Sequence, residues 1–166
     1  KHEPYPAFVA NDIGDVLVCN HAWINLISQA GLDLEGARGN IFHLLFSDEG
    51  LRSLIGDWED FSCGLLLQLK EQQLLTDDAR LNELMEWMEA YPGVPSDWPQ
   101  RGRRVRFDSS YDITLNMPAQ RFQMQTIVTG ISPMNLAVTS QLKLHAFYPG
   151  DTGTLSWWQK VADKTQ

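Results

Sequence analysis

The sequence predicts an α+β fold in which helices cover one face of an antiparallel sheet built from both ends of the chain. Short β-rich runs occur near the start and again in the last third, and apolar residues recur with helical spacing between them. With 166 residues, of which 43% are hydrophobic, the chain can bury one full core but hardly two. We therefore expect a single domain over residues 1–166.

Near the start of the chain, the pattern predicts a β-hairpin followed by a helix. Residues 8–10 and 16–19 are β-rich, and turn-forming residues that include a glycine separate them. Asn20 follows directly and can cap a helix. The apolar face of that helix consists of Ala22, Trp23, Leu26, Ile27 and Ala30. Gly31 is expected to end it, and residues 32–39 are expected to be a connection.

Residues 40–70 form the helical centre of the predicted fold. Asn40 can cap a short, nearly all-apolar helix, and Ser47 or Asp48 can cap a second short one. From Asp57 onward, large apolar residues recur every three or four positions, which predicts one long helix. The buried stripe of this helix consists of Trp58, Phe61, Leu65, Leu66 and Leu69.

Another helix is expected to run to about Tyr91. Residues 76–78 offer its cap and first-turn charge, and Pro92 and Gly93 end it. Its apolar stripe consists of Leu81, Leu84, Met85 and Met88. Residues 94–100 contain two prolines, so they are predicted to form a loop.

The last third of the chain changes to the two-residue period of strands. Residues 111–117 alternate between apolar and polar side chains, residues 121–131 do so less strictly, and residues 141–148 alternate again. In the last run Leu142, Leu144 and Ala146 share one face, while Lys143, His145 and Phe147 share the other. Short turns favour antiparallel pairing. A hairpin, four or five helices and three strands, in this order, are the arrangement of a PAS-like domain.

Charge and composition narrow the possible partners. The net charge of −8 opposes binding to phosphate backbones, so any contact with DNA must come from another domain. Because the chain begins at Lys1 without an initiator Met, we expect it to be a piece of a longer protein. Cys19 and Cys63 lie far apart, which fits a reducing cytoplasm. No apolar run approaches the roughly 20 residues that span a bilayer, so no membrane partner is expected.

Motifs of catalysis and metal binding are missing from the sequence. There is no G-x-S-x-G elbow and no phosphate-cradling glycine loop, and the four histidines lack the spacing of metal ligands. The run Asp151-Thr152-Gly153-Thr154 is similar to the nucleophile loop of aspartic proteases, but Pro149-Gly150 precede it instead of an apolar strand. We interpret it as a turn. We therefore expect no enzyme, catalytic residue, metal or cofactor.

An arginine cluster lies between the helices and the strands. Arg101, Arg103, Arg104 and Arg106 occupy four of six successive positions. Arg104 and Arg106 alternate with Val105 and Phe107, so they can line the solvent face of an edge strand, where charge blocks unwanted pairing. The alternative is that they bind an anionic head group, because guanidinium offers a planar fork to carboxylate or phosphate.

Large apolar residues on the predicted helices suggest either a core or a binding cavity. Core packing is the simpler interpretation. A cavity is also feasible, because ten buried methylenes contribute roughly 8 kcal/mol, at ~0.8 kcal/mol each, against an association cost of at least ~4 kcal/mol. The predicted ligand-binding residues are Trp23, Phe42, Leu45, Phe46, Trp58, Leu65, Arg104 and Arg106, with Leu66 in the same apolar set.

Five segments occur in an order that resembles a known family. They are PAFVANDIGDVLVCNHAW, GNIFHLLFSD, GDWEDF, LQLK and LKLHAFYPGDTGT. Together they resemble the MmyB-like ligand-binding domain, the C-terminal PAS-like half of bacterial regulators whose N-terminal half is an XRE-type helix-turn-helix. The resemblance covers about residues 4–160, and the positions that carry it are Asn20, Asn40, Phe46, Asp57 and Trp58. It implies a sensor domain whose DNA-binding partner is absent from this chain.

The sequence departs from the family pattern in two places. Met117-Pro118 stands where the family commonly has His-Pro followed by a glycine, and Lys70 stands where an arginine is usual. Ligand contacts at the entry to the sheet, and the identity of the ligand, are therefore left open by the resemblance.

Two functions remain as alternatives. The first is the effector-binding domain of a bacterial, cytoplasmic, homodimeric transcription regulator. This domain would bind a small apolar or amphipathic molecule, such as a fatty-acyl-like compound. The bound molecule would shift the domain between conformations, and a helix-turn-helix would read the change. The second is a structural dimerisation module without a ligand, whose interface would contain Trp157, Trp158 and Phe147.

Overall fold

The computed structural model describes residues 2–75, 78–105, 109–131 and 142–164, with the side chains of residues 34, 37 and 161–164 left aside. Contacts within the chain divide it into two compact units. The first unit consists of Lys1–Gly56 and Ser109–Gln166, and the second of Asp57–Asp108. That residues 1–166 act as one domain stays a prediction.

Secondary structure follows the predicted order, with strands at both ends of the chain. The strands are β1 (Ala7–Ala10), β2 (Val16–Cys19), β3 (Ser110–Asn116), β4 (Arg121–Ile131) and β5 (Leu142–Pro149). The helices are α1 (His21–Gln29), α2 (Leu34–Arg38), α3 (Ile41–Phe46), α4 (Trp58–Leu75), α5 (Ala79–Glu89), α6 (Trp98–Gly102) and α7 (Thr152–Lys164), with a short 3-10 turn at Arg52–Leu54. The α+β class is confirmed.

The first unit contains a five-stranded antiparallel sheet in the order β2-β1-β5-β4-β3. The N-terminal hairpin therefore adds its strand β1 to β5, so that both ends of the chain build one sheet, as predicted. This order is compatible with a PAS-like architecture. In the described parts of the chain, no helix has both the length and the apolarity that a membrane span requires.

Two asparagines fix the helices that follow the hairpin. The Oδ1 of Asn20 accepts hydrogen bonds from the backbone N–H of Trp23 at 2.9 Å and of Ala7 at 3.0 Å, so it caps α1 and ties the helix to β1. Asn40 caps α3, and its Nδ2 donates to the backbone oxygen of Ile13 at 2.6 Å and to Asp15 at 3.0 Å. Both predicted caps are confirmed, and each also holds the hairpin.

The turn of the hairpin needs its glycine. Gly14 has a φ of +83°, and a Cβ at this position would collide with the ring of Phe42. Any other residue would therefore meet both backbone strain and a steric clash. Because Gly14 has no Cβ, the ring of Phe42 can lie against the hairpin turn.

Three helices and one cap differ from the predictions. Residues 32–39 contain α2, which Asp33 caps, and α6 begins inside the predicted loop at residues 94–100 with a proline in its first turn, where proline is tolerated. The segment that we interpreted as a turn starts α7, because Asp151 accepts a hydrogen bond from the backbone N–H of Thr154 at 2.7 Å. The predicted cap at Ser47 or Asp48 is wrong. The 3-10 turn has no side-chain cap, and Asp48 instead pairs with Arg52 at 2.6 Å.

The second unit consists of α4, α5 and α6. The predicted apolar stripes are buried apart from Trp58, which is half-buried. Helix α6 approaches α4 closely, since a Cβ on Gly102 would lie 2.5 Å from the backbone oxygen of Cys63. Arg101 reinforces this packing through ion pairs with Glu59 at 2.7 Å and Asp60 at 3.1 Å.

Candidate functional site

The strand register sorts the sheet of the first unit into two faces. Residues that are directly paired across neighbouring strands point to the same side. One side, the inner face, consists of successive rows across the strands. The rows are Ala10, Lys143 and Gly130; then Phe8, His145 and Val128; then Phe147, Thr126 and Tyr111; then Met124 and Ile113; then Phe122 and Leu115. This face holds most of the buried strand residues.

Aromatic side chains pack on one part of the inner face. Trp23 of α1 lies 4.7 Å from the ring of Phe8 and stacks on Phe147 at 5.5 Å, while Phe8 stacks on His145 at 4.6 Å, all measured between ring centroids. Because Asn20 ties α1 to β1, the indole of Trp23 is held in place over the sheet. The first unit thereby supplies a rigid aromatic wall beside polar groups on β5.

A hydroxyl pair lies in the middle row. Thr126 is fully buried, and no hydrogen bond of good geometry reaches its Oγ1 within the described residues. Its neighbour in the same row is Tyr111 on β3. Burial raises the pKa of Tyr111 to about 12, and the nearby Thr126 hydroxyl opposes this rise. Both groups are therefore neutral at pH 7 and can donate to an acceptor oxygen.

His145 and Lys143 occupy the next two rows on β5. Burial, and to a smaller extent the positive charge of Lys143, lowers the pKa of His145 to about 4, so the imidazole is neutral at pH 7. Burial also lowers the pKa of Lys143, while the carboxylate of Asp12 opposes this shift. The Lys143 Nζ lies 3.9 Å from the Asp12 Oδ1, which is too long for a strong hydrogen bond.

Three polar side chains of the inner face combine partial exposure with shifted pKa values. Tyr111, His145 and Lys143 all keep some accessible surface. Their pKa values nevertheless shift in the direction that burial causes. Accessible side chains whose ionisation is suppressed by their surroundings are typical of binding sites, although structural networks also produce such shifts. One end of the inner face is thus polar and partly accessible.

The other end of the inner face is apolar and closed. Its last two rows consist of Ile113, Met124, Leu115 and Phe122, all of them buried. Polarity therefore changes along the strands, from an ammonium, an imidazole and two hydroxyls to aliphatic and aromatic groups. A molecule with a polar head and an apolar body matches this gradient in one orientation only.

Four of the predicted ligand-binding residues belong to the first unit. Trp23 lies on the inner face, as described above. Phe42 is half-buried against the hairpin turn, and Leu45 and Phe46 are buried on α3. Of these, Trp23 is the residue that the structure brings next to the polar groups.

The remaining predicted residues belong to the second unit. Leu65 is buried in the stripe of α4, Trp58 is half-buried, and Arg104 is exposed in a turn after α6. The expectation that Arg104 lies on an edge strand is wrong, because α6 ends just before it. Arg106 lies outside the described residues, so its predicted role stays a prediction.

The polar groups of the inner face were not predicted from the sequence. The alternation on the last strand places Lys143, His145 and Phe147 on one face but does not show that this face is the buried one. The signal was the alternation of polar and aromatic residues there, which is unusual for a solvent face. Thr126 and Tyr111 carried no separate signal in the sequence.

A concavity lies away from the inner face, in another part of the first unit. It is a cleft of about 210 Å³ beside α2 and α3, with Leu32, Asn40, His43 and Leu44 among its lining residues. Binding sites for drug-sized molecules usually enclose about 300–1,000 Å³. Since Asn40 already caps α3 and holds the hairpin, this cleft is a weaker candidate than the inner face. No group of three or more side chains that could hold a metal ion occurs in the part of the chain that the structure describes.

The dimer interface predicted at Trp157, Trp158 and Phe147 is wrong in two of its three residues. Trp158 is 1% exposed and packs against Tyr5, and Phe147 is 6% exposed beneath Trp23. Only Trp157 keeps accessible surface, and it contacts Phe122 with ring centroids 4.9 Å apart. Aromatic residues near the end of a chain are equally suited to a core, and here α7 folds them back onto the sheet.

Comparison with known proteins identifies the family. No curated protein matches this chain. A family model described as the MmyB-like transcription regulator ligand binding domain matches residues 1–157. Because this match covers nearly the whole chain, the protein belongs to the family of MmyB-like transcription regulator ligand-binding domains.

Proposed function

We propose that this chain is the effector-sensing domain of a bacterial XRE-type transcription regulator and binds a small amphipathic molecule on the inner face of the sheet. The observation that supports this most directly is the polarity gradient of that face. Membership of a family of regulator ligand-binding domains gives the binding role its context. The domain performs no catalysis in this proposal and works in the cytoplasm.

The polar end of the inner face would bind the head group. Lys143 offers a cation, and Tyr111 and Thr126 offer hydroxyl donors, so the matching group is a carboxylate or another oxygen-rich acceptor. A carboxylate head group would compete for Lys143 with Asp12, whose Oδ1 lies 3.9 Å from the Lys143 Nζ. His145 stays neutral at pH 7 and adds no charge of its own.

The apolar body of the ligand would lie along the aromatic wall. Trp23, Phe8 and Phe147 are buried against one another next to the polar groups, so an acyl chain would reach their apolar surface only as Trp23 moves off the sheet. Each methylene removed from water contributes ~0.8 kcal/mol, so an acyl chain of about ten carbons offsets the cost of association. Fatty-acyl-like molecules therefore fit better than small polar metabolites. The predicted residues Phe42, Leu45, Phe46, Trp58, Leu65, Arg104 and Arg106 remain candidates for further contacts.

A response requires that the ligand bind one conformation of the domain better than another. Helix α1 is well placed to carry such a difference. Its Trp23 contacts the proposed site, while its first turn is fastened to the N-terminal segment through Asn20 and through Glu3, which accepts from the backbone N–H of His21 at 3.0 Å. A separate helix-turn-helix domain would then read the change on DNA, which this acidic domain does not bind by itself.

The test is native mass spectrometry of the purified domain, followed by extraction of co-purifying small molecules under denaturing conditions. We expect the domain to carry, or to take up from a panel of saturated C8–C16 carboxylates, one molecule per chain. Binding should raise the thermal midpoint with ligand concentration. Failure of every carboxylate in the panel to bind or stabilise the domain would refute the proposal. It would leave a structural module without a ligand as the better interpretation.

A further inference from the structure

The sheet has a second face whose composition does not suit solvent. This outer face consists, at one end, of nine residues that the register aligns across β2, β1, β5 and β4. They are Val18, Val9, Leu144 and Thr129 in one row, Ala7, Ala146 and Ile127 in the next, and Leu142 and Ile131 at the rim. Eight of these nine side chains are apolar. We call this surface the outer patch.

Seven of the nine residues of the outer patch keep accessible surface, while Ala7 and Ala146 are each only 5% exposed. Val18 is 60% exposed, Ile127 is 38% exposed and Ile131 is 41% exposed. An antiparallel sheet with one wet side normally alternates apolar residues inward with polar residues outward. Here the inner face carries the lysine, the histidine and the tyrosine, while the outer patch carries valine, isoleucine and leucine. Contiguous exposed apolar surface of this kind marks an interaction site.

Charge narrows the choice of partner. Among the strand positions that the structure describes, the only charged residues on the outer face are Asp112 and Arg121, and both lie beyond the outer patch. The chain as a whole has a net charge of −8, so two copies repel each other over most of their surface. The outer patch is a place where two copies can approach without opposing like charges. Its neutrality also offers nothing to a nucleic acid or to a strongly charged protein.

We propose that the outer patch is the surface through which two copies of this domain form a homodimer. Sheets pack face to face about 10 Å apart with strands rotated by about 30°, and two identical flat apolar faces satisfy this geometry around a twofold axis. Val9 and Leu144 of each copy would lie near the centre of the interface, with Val18 and Ile127 at its two sides. Dimerisation through this patch leaves the inner face free.

The size of the outer patch sets the expected affinity. Its accessible part extends over four strands about 4.8 Å apart and about two rows 6.8 Å apart, or roughly 19 Å by 14 Å. This is about 260 Å² per copy, or roughly a third of the area that each partner buries in an interface of standard size. The patch alone therefore supports a weak dimer that dissociates on dilution, with a dissociation constant in the micromolar range or weaker.

The test is sedimentation velocity of the 166-residue chain over a concentration series from about 5 to about 500 µM, with a reducing agent present to exclude disulfides. We expect a reversible shift from monomer to dimer. Val18→Lys and Val18→Glu change the net charge in opposite directions, yet both place a charge at the patch. Both should weaken dimerisation at least about tenfold. Circular dichroism and the thermal midpoint at low concentration would check that each variant is folded.

Leu74→Lys is the matched control, because Leu74 is 77% exposed on α4 and lies outside the outer patch. This variant should dimerise like the parent chain. Three results would each overturn the proposal: a monomer at every concentration, a dimer that neither Val18 variant weakens, or a Leu74→Lys variant that is weakened equally. Opposite effects of Val18→Lys and Val18→Glu would likewise overturn it, because they would show that net charge and not the patch controls association.

Discussion

Replacing Lys143 with methionine should separate recognition of the head group from burial of the chain. Lys143 is the cation at the polar end of the inner face, and an incoming carboxylate would compete for it with Asp12, whose Oδ1 lies 3.9 Å from the Lys143 Nζ. Two unit charges 4 Å apart attract each other by about 4 kcal/mol at an effective dielectric constant of 20. Desolvation of both groups cancels part of this attraction, so we expect a net loss of roughly 1.5–3 kcal/mol in the variant, in line with a hydrogen bond to a charged group.

The assay compares three ligands with the same chain length. Isothermal titration calorimetry with dodecanoate, dodecanol and methyl dodecanoate at pH 7 should show dodecanoate binding weakened by about 10- to 150-fold in Lys143→Met. Binding of the alcohol and the ester should change by less than about threefold, because methionine keeps the apolar stem of lysine. Lys160→Met, at an exposed position on α7, removes the same charge from a solvated site and should leave all three affinities unchanged.

Comparison with Arg104 decides which cation receives the head group. Arg104 is exposed, so solvent screens its charge, and Arg104→Gln should weaken dodecanoate binding far less than Lys143→Met does. Equal losses for dodecanoate and dodecanol in Lys143→Met would refute the assignment of Lys143, since they would indicate a general defect of the site. A selective loss in Arg104→Gln alone would move the head group to the arginine cluster.

Two further predictions concern stability. The pKa of His145 is about 4 in the folded state and about 6.5 in the unfolded state, so the unfolded chain binds more protons between these pH values. The free energy of unfolding should therefore fall by about 3 kcal/mol as the pH drops through this window. Urea titrations of His145→Gln should show a much smaller fall than those of His21→Gln, a control at an exposed position. Asn40→Ala should cost roughly 1–3 kcal/mol, because it removes the cap of α3 and the hydrogen bond to Ile13. Asn40→Ser keeps an oxygen cap without placing a second carboxylate beside Asp15, so it should cost less, and equal losses in urea titrations would contradict the capping role.

Local signals explain why much of the fold could be predicted from the sequence. The hairpin, the caps at Asn20 and Asn40 and the stripes of α4 and α5 each depend on residues within a few positions of one another. Helices α2 and α6 were missed because five residues give less than two full turns of periodicity. Helix α7 was missed because its start contains Thr152 and Gly153, which resemble a turn until Asp151 is recognised as the cap.

The candidate site depended on information that no single segment contains. On β5 both faces carry apolar residues, so the sequence of this strand alone does not show whether Leu144 or His145 points inward. The choice is made by distant partners, since Phe8 stacks on His145 and Trp23 stacks on Phe147. The pairing of β1 with β5, which lie far apart in the chain, turns the polar face inward. Such long-range pairing leaves no periodic pattern in the sequence.

The two faces of the sheet share their central strands, and this has a thermodynamic consequence. On β5, Lys143 and His145 point to the inner face while Leu144 and Ala146 point to the outer patch. A ligand that shifts or stiffens β5 from one side therefore alters the surface that a second copy meets on the other. If such a difference exists, binding and dimerisation must be coupled reciprocally: the factor by which dodecanoate changes the dimer dissociation constant equals the factor by which dimerisation changes the affinity for dodecanoate. Sedimentation velocity at zero and saturating dodecanoate, paired with calorimetry at low and high protein concentration, measures both factors. Coupling that vanishes in Val18→Lys would join the two faces in one switch, and a dimer indifferent to ligand would mean that the signal leaves the domain through α1 instead.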